Sequence, residues 1–234
     1  MKKIFIVANW KSNKDSIQVG DWIEGIKNYE SGIKNTNKEV IICPSFVHLY
    51  LLKSLNNEPI IKIGAQNISP FDKGAYTGEV NGEQIKELAD YVIIGHSERR
   101  KNFNETDDLI NQKLKMAVKY QIVPILCISD LFQIQNSKFK IQNYNSKLKN
   151  ENKELIIAYE PLFAIGSGQA DTPENAEKVA TEIKKELNGA PVLYGGSVTS
   201  ENAKSFTQMP DIDGVLVGGA SLDPLEFRKI IELT

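Results

Sequence analysis

Four side chains suited to acid–base chemistry occur directly after short apolar runs of the sequence. They are an amide, a cation, an imidazole and a carboxylate: Asn9, Lys11, His96 and Glu160. Abstraction of a proton next to a carbonyl needs a base, a donor at the oxygen and positive charge for the enolate. Each residue alone would more often be structural, so this prediction depends on the four side chains meeting at one site.

The segment around Glu160 carries the most information. An apolar run ends at Tyr159, and Glu160 is followed by Pro161 and then by a loop containing Gly166 and Gly168. Proline biases the preceding residue toward an extended backbone, so the strand ends here with the carboxylate at its C-terminal end. In α/β proteins the chemistry lies at this end of the strands. The glycine-containing loop could open and close over the carboxylate as a lid. The alternative is an ordinary strand-to-helix connection with an exposed glutamate.

Two diglycine turns, at 195–196 and 218–219, also follow apolar runs and precede helical patterns. Backbone N–H groups in such turns can bind a phosphate. A diglycine is more often only a turn, so this interpretation also requires the strand ends to share one rim.

Short apolar runs recur along the whole chain, and each is continuous rather than alternating, as in parallel strands buried on both faces. The predicted strands are Ile4–Ala8, Val40–Cys43, Ile60–Ala65, Tyr91–Ile94, Val123–Cys127, Leu155–Tyr159, Val192–Tyr194 and Val215–Val217. Helical periodicity lies between them, and the pairs Thr172–Pro173 and Asp223–Pro224 are typical helix starts. The polar stretch Lys138–Lys153 is interpreted as a surface helix.

Strands and helices therefore alternate without a linker or charge block that would divide the chain. We expect a single (β/α)₈ barrel domain over residues 1–234, with a doubly wound open sheet as the alternative. In a barrel, the residues after each strand share one rim, which would bring the four side chains and both diglycine turns together.

The composition of the 234 residues excludes several classes. A net charge of −2 gives no basic field for nucleic acid, and no apolar run is long enough to cross a membrane. Cys43 and Cys127 are interpreted as free buried thiols, which favours a cytoplasmic protein. His48 and His96 lie in no metal-binding spacing, and no complete dinucleotide fingerprint occurs. We expect neither a metal nor a cofactor.

Several motifs resemble the triosephosphate isomerase family, occur in that family's order and span nearly the whole chain. They are Asn9-Trp10-Lys11, Gly64-Ala65-Gln66-Asn67, Tyr76-Thr77-Gly78-Glu79, Gly95-His96-Ser97-Glu98-Arg99-Arg100, Ala158-Tyr159-Glu160-Pro161, Ala164-Ile165-Gly166 and Tyr194-Gly195-Gly196-Ser197-Val198. The resemblance implies a TIM barrel that interconverts dihydroxyacetone phosphate and D-glyceraldehyde 3-phosphate through an enediolate, in glycolysis and gluconeogenesis.

The same resemblance implies a role for each matching residue. Glu160 would be the base and His96 the neutral electrophile, while Lys11 would stabilise the anionic intermediate. Asn9 would help to bind substrate, and Glu98 would support the lysine. The phosphate would be bound by Gly166, Ser197, Gly218 and Gly219.

The resemblance also implies a homodimer in which the loop Gln66–Glu79 docks into the neighbouring subunit, with Thr77 at the interface. The chain departs from the family pattern at Phe163, where a lid tryptophan is usual, and at Ser129-Asp130, where Gly-Glu is usual. The stretch from Leu131 to Lys153 is also shorter than usual. Because phenylalanine has no N–H donor, we expect the lid to lack a hydrogen bond to an acid at 130.

Two other functions remain open from the residues. Another phosphate-binding barrel enzyme would explain the diglycine turns but not His96 together with Glu160. A ligand-binding or scaffold protein without activity would be expected to have lost Lys11, His96 or Glu160.

Overall fold

Eight parallel strands pair in chain order and close into a barrel, in which the last strand returns to the first. The structure is a computed structural model that describes residues 2–27, 37–56, 61–134 and 154–234. The strands are β1 (Ile4–Asn9), β2 (Lys38–Cys43), β3 (Ile61–Ala65), β4 (Tyr91–Ile94), β5 (Val123–Ile128), β6 (Ile156–Tyr159), β7 (Val192–Tyr194) and β8 (Gly214–Val217). The predicted (β/α)₈ TIM barrel is confirmed, and the open sheet was the wrong alternative.

Helices connect the strands around the outside of the barrel. Those in the described residues are α1 (Ser16–Lys27), α2 (Leu49–Leu55), α3 (Gly82–Lys86), α4 (Ser97–Phe103), α5 (Asp107–Lys119), α6 (Pro173–Glu186), α7 (Ala203–Thr207) and α8 (Pro224–Leu233). No helix in the described ranges is both long and apolar enough to cross a membrane. The predicted surface helix at Lys138–Lys153 lies outside the described residues.

The predicted helix starts of α6 and α8 are confirmed. The Thr172 hydroxyl accepts the N–H of Asn175, and the Asp223 carboxylate accepts the N–H of Leu225. In both helices proline fills the first position, where no N–H is needed. These caps fix where each helix begins after the preceding loop.

The apolar residues form two layers, one inside the barrel and one between the sheet and the helices. Alternate strand residues such as Val7, Ile41 and Ile125 fill the interior, whereas Ile6 and Ile42 pack outward against the helices. This arrangement explains the continuous apolar runs, since both faces of each strand are buried. The barrel is therefore a packed support, and polar groups emerge at its C-terminal rim.

Cys43 and Cys127 are free and buried, as predicted. Burial raises the pKa of both thiols, so they are neutral. Both belong to the cluster that fills the barrel interior.

Candidate active site

A cavity of about 270 Å³ opens at the C-terminal rim of the barrel. Its lining includes every predicted catalytic or binding residue except Glu98: Asn9, Lys11, His96, Glu160, Gly166, Ser197, Gly218 and Gly219. Pockets for drug-sized ligands are commonly 300–1,000 Å³, so this cavity suits a smaller molecule. The strand ends bring together residues that are up to 210 positions apart in the sequence.

Glu160 follows β6 directly, and the residue is only 2% exposed. Oε2 accepts the N–H of Ser97 at 3.1 Å, while Oε1 lies 3.0 Å from Nε2 of His96. The charge of this carboxylate helps to raise the pKa of the buried Cys127 thiol beside it. The carboxylate is therefore held by the Ser97 N–H and the His96 ring at one side of the cavity.

His96 caps the start of α4, and this position determines its tautomer. The Glu98 N–H donates to Nδ1 at 3.2 Å, so the ring proton is on Nε2, which faces Glu160. Burial is the largest single influence and lowers the pKa of His96, but the charge and hydrogen bond of Glu160 together with the charge of Glu98 outweigh it, so that the pKa is raised. If Glu160 moves away, the larger part of the raising influence goes with it, and burial together with the N–H at Nδ1 favours the neutral ring.

Lys11 reaches the cavity from the loop after β1. Its ammonium group pairs with the Glu98 carboxylate, and the two side chains are 29% and 41% exposed. The second Glu98 oxygen lies 3.8 Å from Nδ1 of His96. Glu98 thus links the cation to the imidazole from outside the cavity lining.

The predicted phosphate-binding residues form one wall of the cavity. Ser197 has a left-handed backbone (φ 49°), and its hydroxyl donates to the Ala164 carbonyl and accepts the N–H of Gly168. A Cβ on Gly218 would lie 3.3 Å from Cε of Lys11. The diglycine turn after β8 therefore allows the lysine to lie against the backbone.

A family model described as triosephosphate isomerase matches residues 4–234. The chain belongs to the triosephosphate isomerase family. Members of this family interconvert dihydroxyacetone phosphate and glyceraldehyde 3-phosphate, a step of glycolysis, and the chain is an aldose–ketose isomerase that acts on these sugar phosphates.

Individual relatives support this membership over the full length. The chain is 41% identical over 242 residues to a triosephosphate isomerase of Mesomycoplasma hyopneumoniae strain 7448, covering 99% of both. It is 38% identical over 249 residues to one of Dictyoglomus turgidum, again covering 99% of both. For one of Synechococcus sp. (strain JA-2-3B'a(2-13)), identity is 37% over 243 residues, covering 99% of this chain and 97% of the relative.

Some contacts of this isomerase site were not predicted from the sequence. The Ser97 N–H holds the Glu160 carboxylate, and Gly195 leaves room for the side chain, since a Cβ there would lie 3.1 Å from Cγ of Glu160. Neither a backbone donor nor a glycine that makes room for a distant side chain can be recognised from a sequence pattern. The described residues contain no group of three His, Cys, Asp or Glu side chains placed to bind a metal ion.

Phe163 and Asp130, the two positions where the sequence departs from the family pattern, have separate local surroundings in this triosephosphate isomerase. Phe163 lies in a short 3₁₀ turn, Leu162–Ala164, and is 62% exposed. Asp130 accepts the N–H of Gln133 at 3.1 Å, and Gln133 in return accepts the N–H of Ser129 at 2.8 Å. The carboxylate of Asp130 is thus already used as a local cap.

Proposed function

We propose that Glu160 is the base that moves a proton between the two carbons of the triose phosphate. His96 donates from Nε2 to the substrate oxygen, and Lys11 stabilises the negative charge of the enediolate, supported by Glu98. Asn9 helps to bind the reacting end. The observation that carries this proposal is the single cavity whose lining contains the base, the imidazole and the cation together with Gly166, Ser197, Gly218 and Gly219.

The resting contacts of Glu160 suggest the order of events. To reach a substrate carbon, the carboxylate must leave the Ser97 N–H and the His96 ring. The departure frees the Nε2 proton of His96 for the substrate oxygen. One movement would therefore place the base and free the electrophile.

The phosphate supplies the binding energy for this change. We place it against Gly166, Ser197, Gly218 and Gly219, at the wall opposite the reacting carbons. Binding energy from a part of the substrate that does not react can be used to drive rearrangement at the reacting centre. Because Ser197 already contacts Ala164 and Gly168 in the lid, a phosphate at Ser197 would act on the lid directly. Closure would exclude water from the enediolate.

The activity is tested with purified protein and D-glyceraldehyde 3-phosphate, followed by formation of dihydroxyacetone phosphate, and then in the reverse direction. Non-phosphorylated glyceraldehyde is the matched control and should turn over far more slowly. Absence of isomerisation in both directions would favour the scaffold alternative. Activity only on a larger sugar phosphate would favour another phosphate-binding barrel enzyme.

We also propose that the protein is a homodimer in which the loop Gln66–Glu79 docks into the neighbouring subunit. Within the loop, Phe71 and Tyr76 stack with ring centroids 4.2 Å apart, yet the two residues are 41% and 44% exposed. Asp72 accepts hydrogen bonds from Lys119 and Tyr120 of the same chain. The loop is thus braced against α5 while its apolar rings face outward, as a docking element requires.

Thr77→Arg should give a monomer with low activity. Thr77 is exposed in this chain, and the family resemblance places it near the partner subunit's Asn9 and Glu98, where a long cation would not fit. Sedimentation velocity gives the assembly state, and Thr77→Ser is the conservative control that should remain dimeric. A fully active monomeric wild type would contradict the homodimer.

Phe163→Trp alone should change lid kinetics little, because Asp130 is short and is used as a cap. Phe163→Trp with Asp130→Glu should show coupling of about 0.5–3 kcal/mol, the range for groups in contact, because an indole N–H would gain a longer carboxylate partner. A double-mutant cycle on inhibitor affinity and lid-opening rate measures it. Strict additivity in both would show that the two positions are independent.

We further propose that residues 1–234 act as one barrel domain and that the protein works in the cytoplasm. The two buried free thiols suit a reducing compartment. Limited proteolysis should then leave one protected core, and cell fractionation should find the activity with other cytoplasmic enzymes.

A further inference from the structure

The backbone of Lys11 has an unusual conformation. Its φ is 53°, in the left-handed region that residues with a Cβ rarely adopt. Such a conformation persists only when its surroundings hold it, and it is often found at functional sites. Neighbouring groups must therefore hold the backbone of Lys11, whose side chain lines the cavity.

Three side chains bind the Lys11 peptide groups. The Lys11 N–H donates to Oδ1 of Asn9 at 3.0 Å. The Lys11 carbonyl accepts the Ser45 hydroxyl at 3.1 Å and Nε2 of Gln66 at 2.9 Å. The strained residue is therefore fixed on both sides by side chains from the end of β1 and from the loops after β2 and β3.

Gln66 makes the most connections of the three. Its Nε2 also donates to the Cys43 carbonyl at 2.8 Å, so both amide hydrogens are used. Gln66 directly follows β3, Cys43 ends β2, and Lys11 lies two residues after the end of β1. One side-chain amide thus connects the C-terminal ends of three neighbouring strands. Gln66 is half-buried and is not part of the cavity lining.

We infer that Gln66 is a positioning residue that holds Lys11 in its left-handed conformation and thereby sets where the ammonium group lies in the cavity. The inference rests on the proposed role of Lys11 in stabilising the enediolate. Without the amide, the Lys11 carbonyl keeps only the Ser45 hydroxyl, and the peptide can turn toward a more favourable φ. The ammonium group would then move with the backbone.

Gln66→Met is the direct test, because methionine has a similar length and no donor. We expect kcat/KM to fall about a hundredfold, the loss typical of a misplacement of roughly 1 Å. Binding of 2-phosphoglycolate, a carboxylate with a phosphate and the outline of the enediolate, should weaken in parallel. Gln66→Glu should be at least as poor, since a carboxylate cannot donate to either carbonyl.

Gln84→Met is the matched control. Gln84 also bonds a backbone group, accepting the N–H of Asn81 at the start of α3, but Asn81 does not line the cavity, whereas Gln66 bonds Lys11, which does. The control should lose thermal stability and keep kcat/KM within about twofold. Sedimentation of each variant shows whether the dimer is retained, so that loss of assembly is not mistaken for misplacement of Lys11.

A double-mutant cycle with Lys11→Met separates positioning from general support. If Gln66 acts through the ammonium group, Gln66→Met should weaken 2-phosphoglycolate binding strongly in the wild type and by less than about twofold in Lys11→Met. An equal loss in both backgrounds would overturn the inference. A Lys11→Met enzyme that is itself fully active would instead overturn the proposed role of the lysine.

Discussion

Glu160→Asp should leave the barrel folded and lower kcat by about a hundredfold to a thousandfold. The shorter side chain withdraws the carboxylate from the substrate carbon by about one methylene, and proton transfer needs contact at roughly 2.6–3.2 Å. The contacts that the Glu160 carboxylate makes in this structure also depend on the length of the side chain, because the carboxylate contacts the Ser97 N–H and the His96 ring at the same time. Steady-state kinetics in both directions provide the measurement.

Glu201→Asp, at an exposed position, is the control for the same chemical change. Its kcat should match the wild type, and both variants should have similar circular dichroism spectra. Near-normal turnover of Glu160→Asp would remove Glu160 from the role of base.

Lys11→Met should abolish most of the activity, with kcat/KM lower by about a hundredfold to a thousandfold, the loss seen when one group that stabilises a developing anion is removed. The ammonium group is the cation closest to the proposed enediolate, and its loss also leaves Glu98 as an unbalanced negative charge near His96. Stability should change by no more than about 1 kcal/mol, because the ion pair is substantially exposed.

Lys115→Met, on the exposed face of α5, is the matched control and should keep full activity. Affinity for 2-phosphoglycolate should fall in Lys11→Met and not in the control. Unchanged inhibitor affinity in Lys11→Met would argue that the lysine does not contact the charge of the intermediate.

The architecture could be predicted because parallel strands buried on both faces are apolar throughout. β4 and β7 have the predicted bounds, and β6 starts one residue later than predicted. β2 starts two residues earlier than predicted, at Lys38, and the prediction missed these residues because they are polar. They lie at the end of the barrel opposite the site, where Glu39 accepts the Tyr91 hydroxyl. An apolar run cannot show a strand end that is paired through polar groups.

The site was predictable only in part, for a different reason. Residue type and position after a strand were enough to select His96 and Glu160, and the barrel brings them within 3.0 Å. The resting place of Glu160 depends on the Ser97 backbone N–H, and the conformation of Lys11 depends on the Gln66 amide. Contacts between a side chain and a distant backbone group follow from the folded geometry, and no spacing in the sequence encodes them.

The return of β8 to β1 has a consequence for the proposed homodimer. A closed sheet presents no edge strand, so another chain cannot extend it by backbone hydrogen bonding. In the proposed homodimer, recognition would then depend on side chains, such as the exposed rings of Phe71 and Tyr76 in the loop Gln66–Glu79. Assembly can therefore diverge between relatives by substitution in a loop, while the hydrogen-bonded ladder that holds the catalytic groups stays the same.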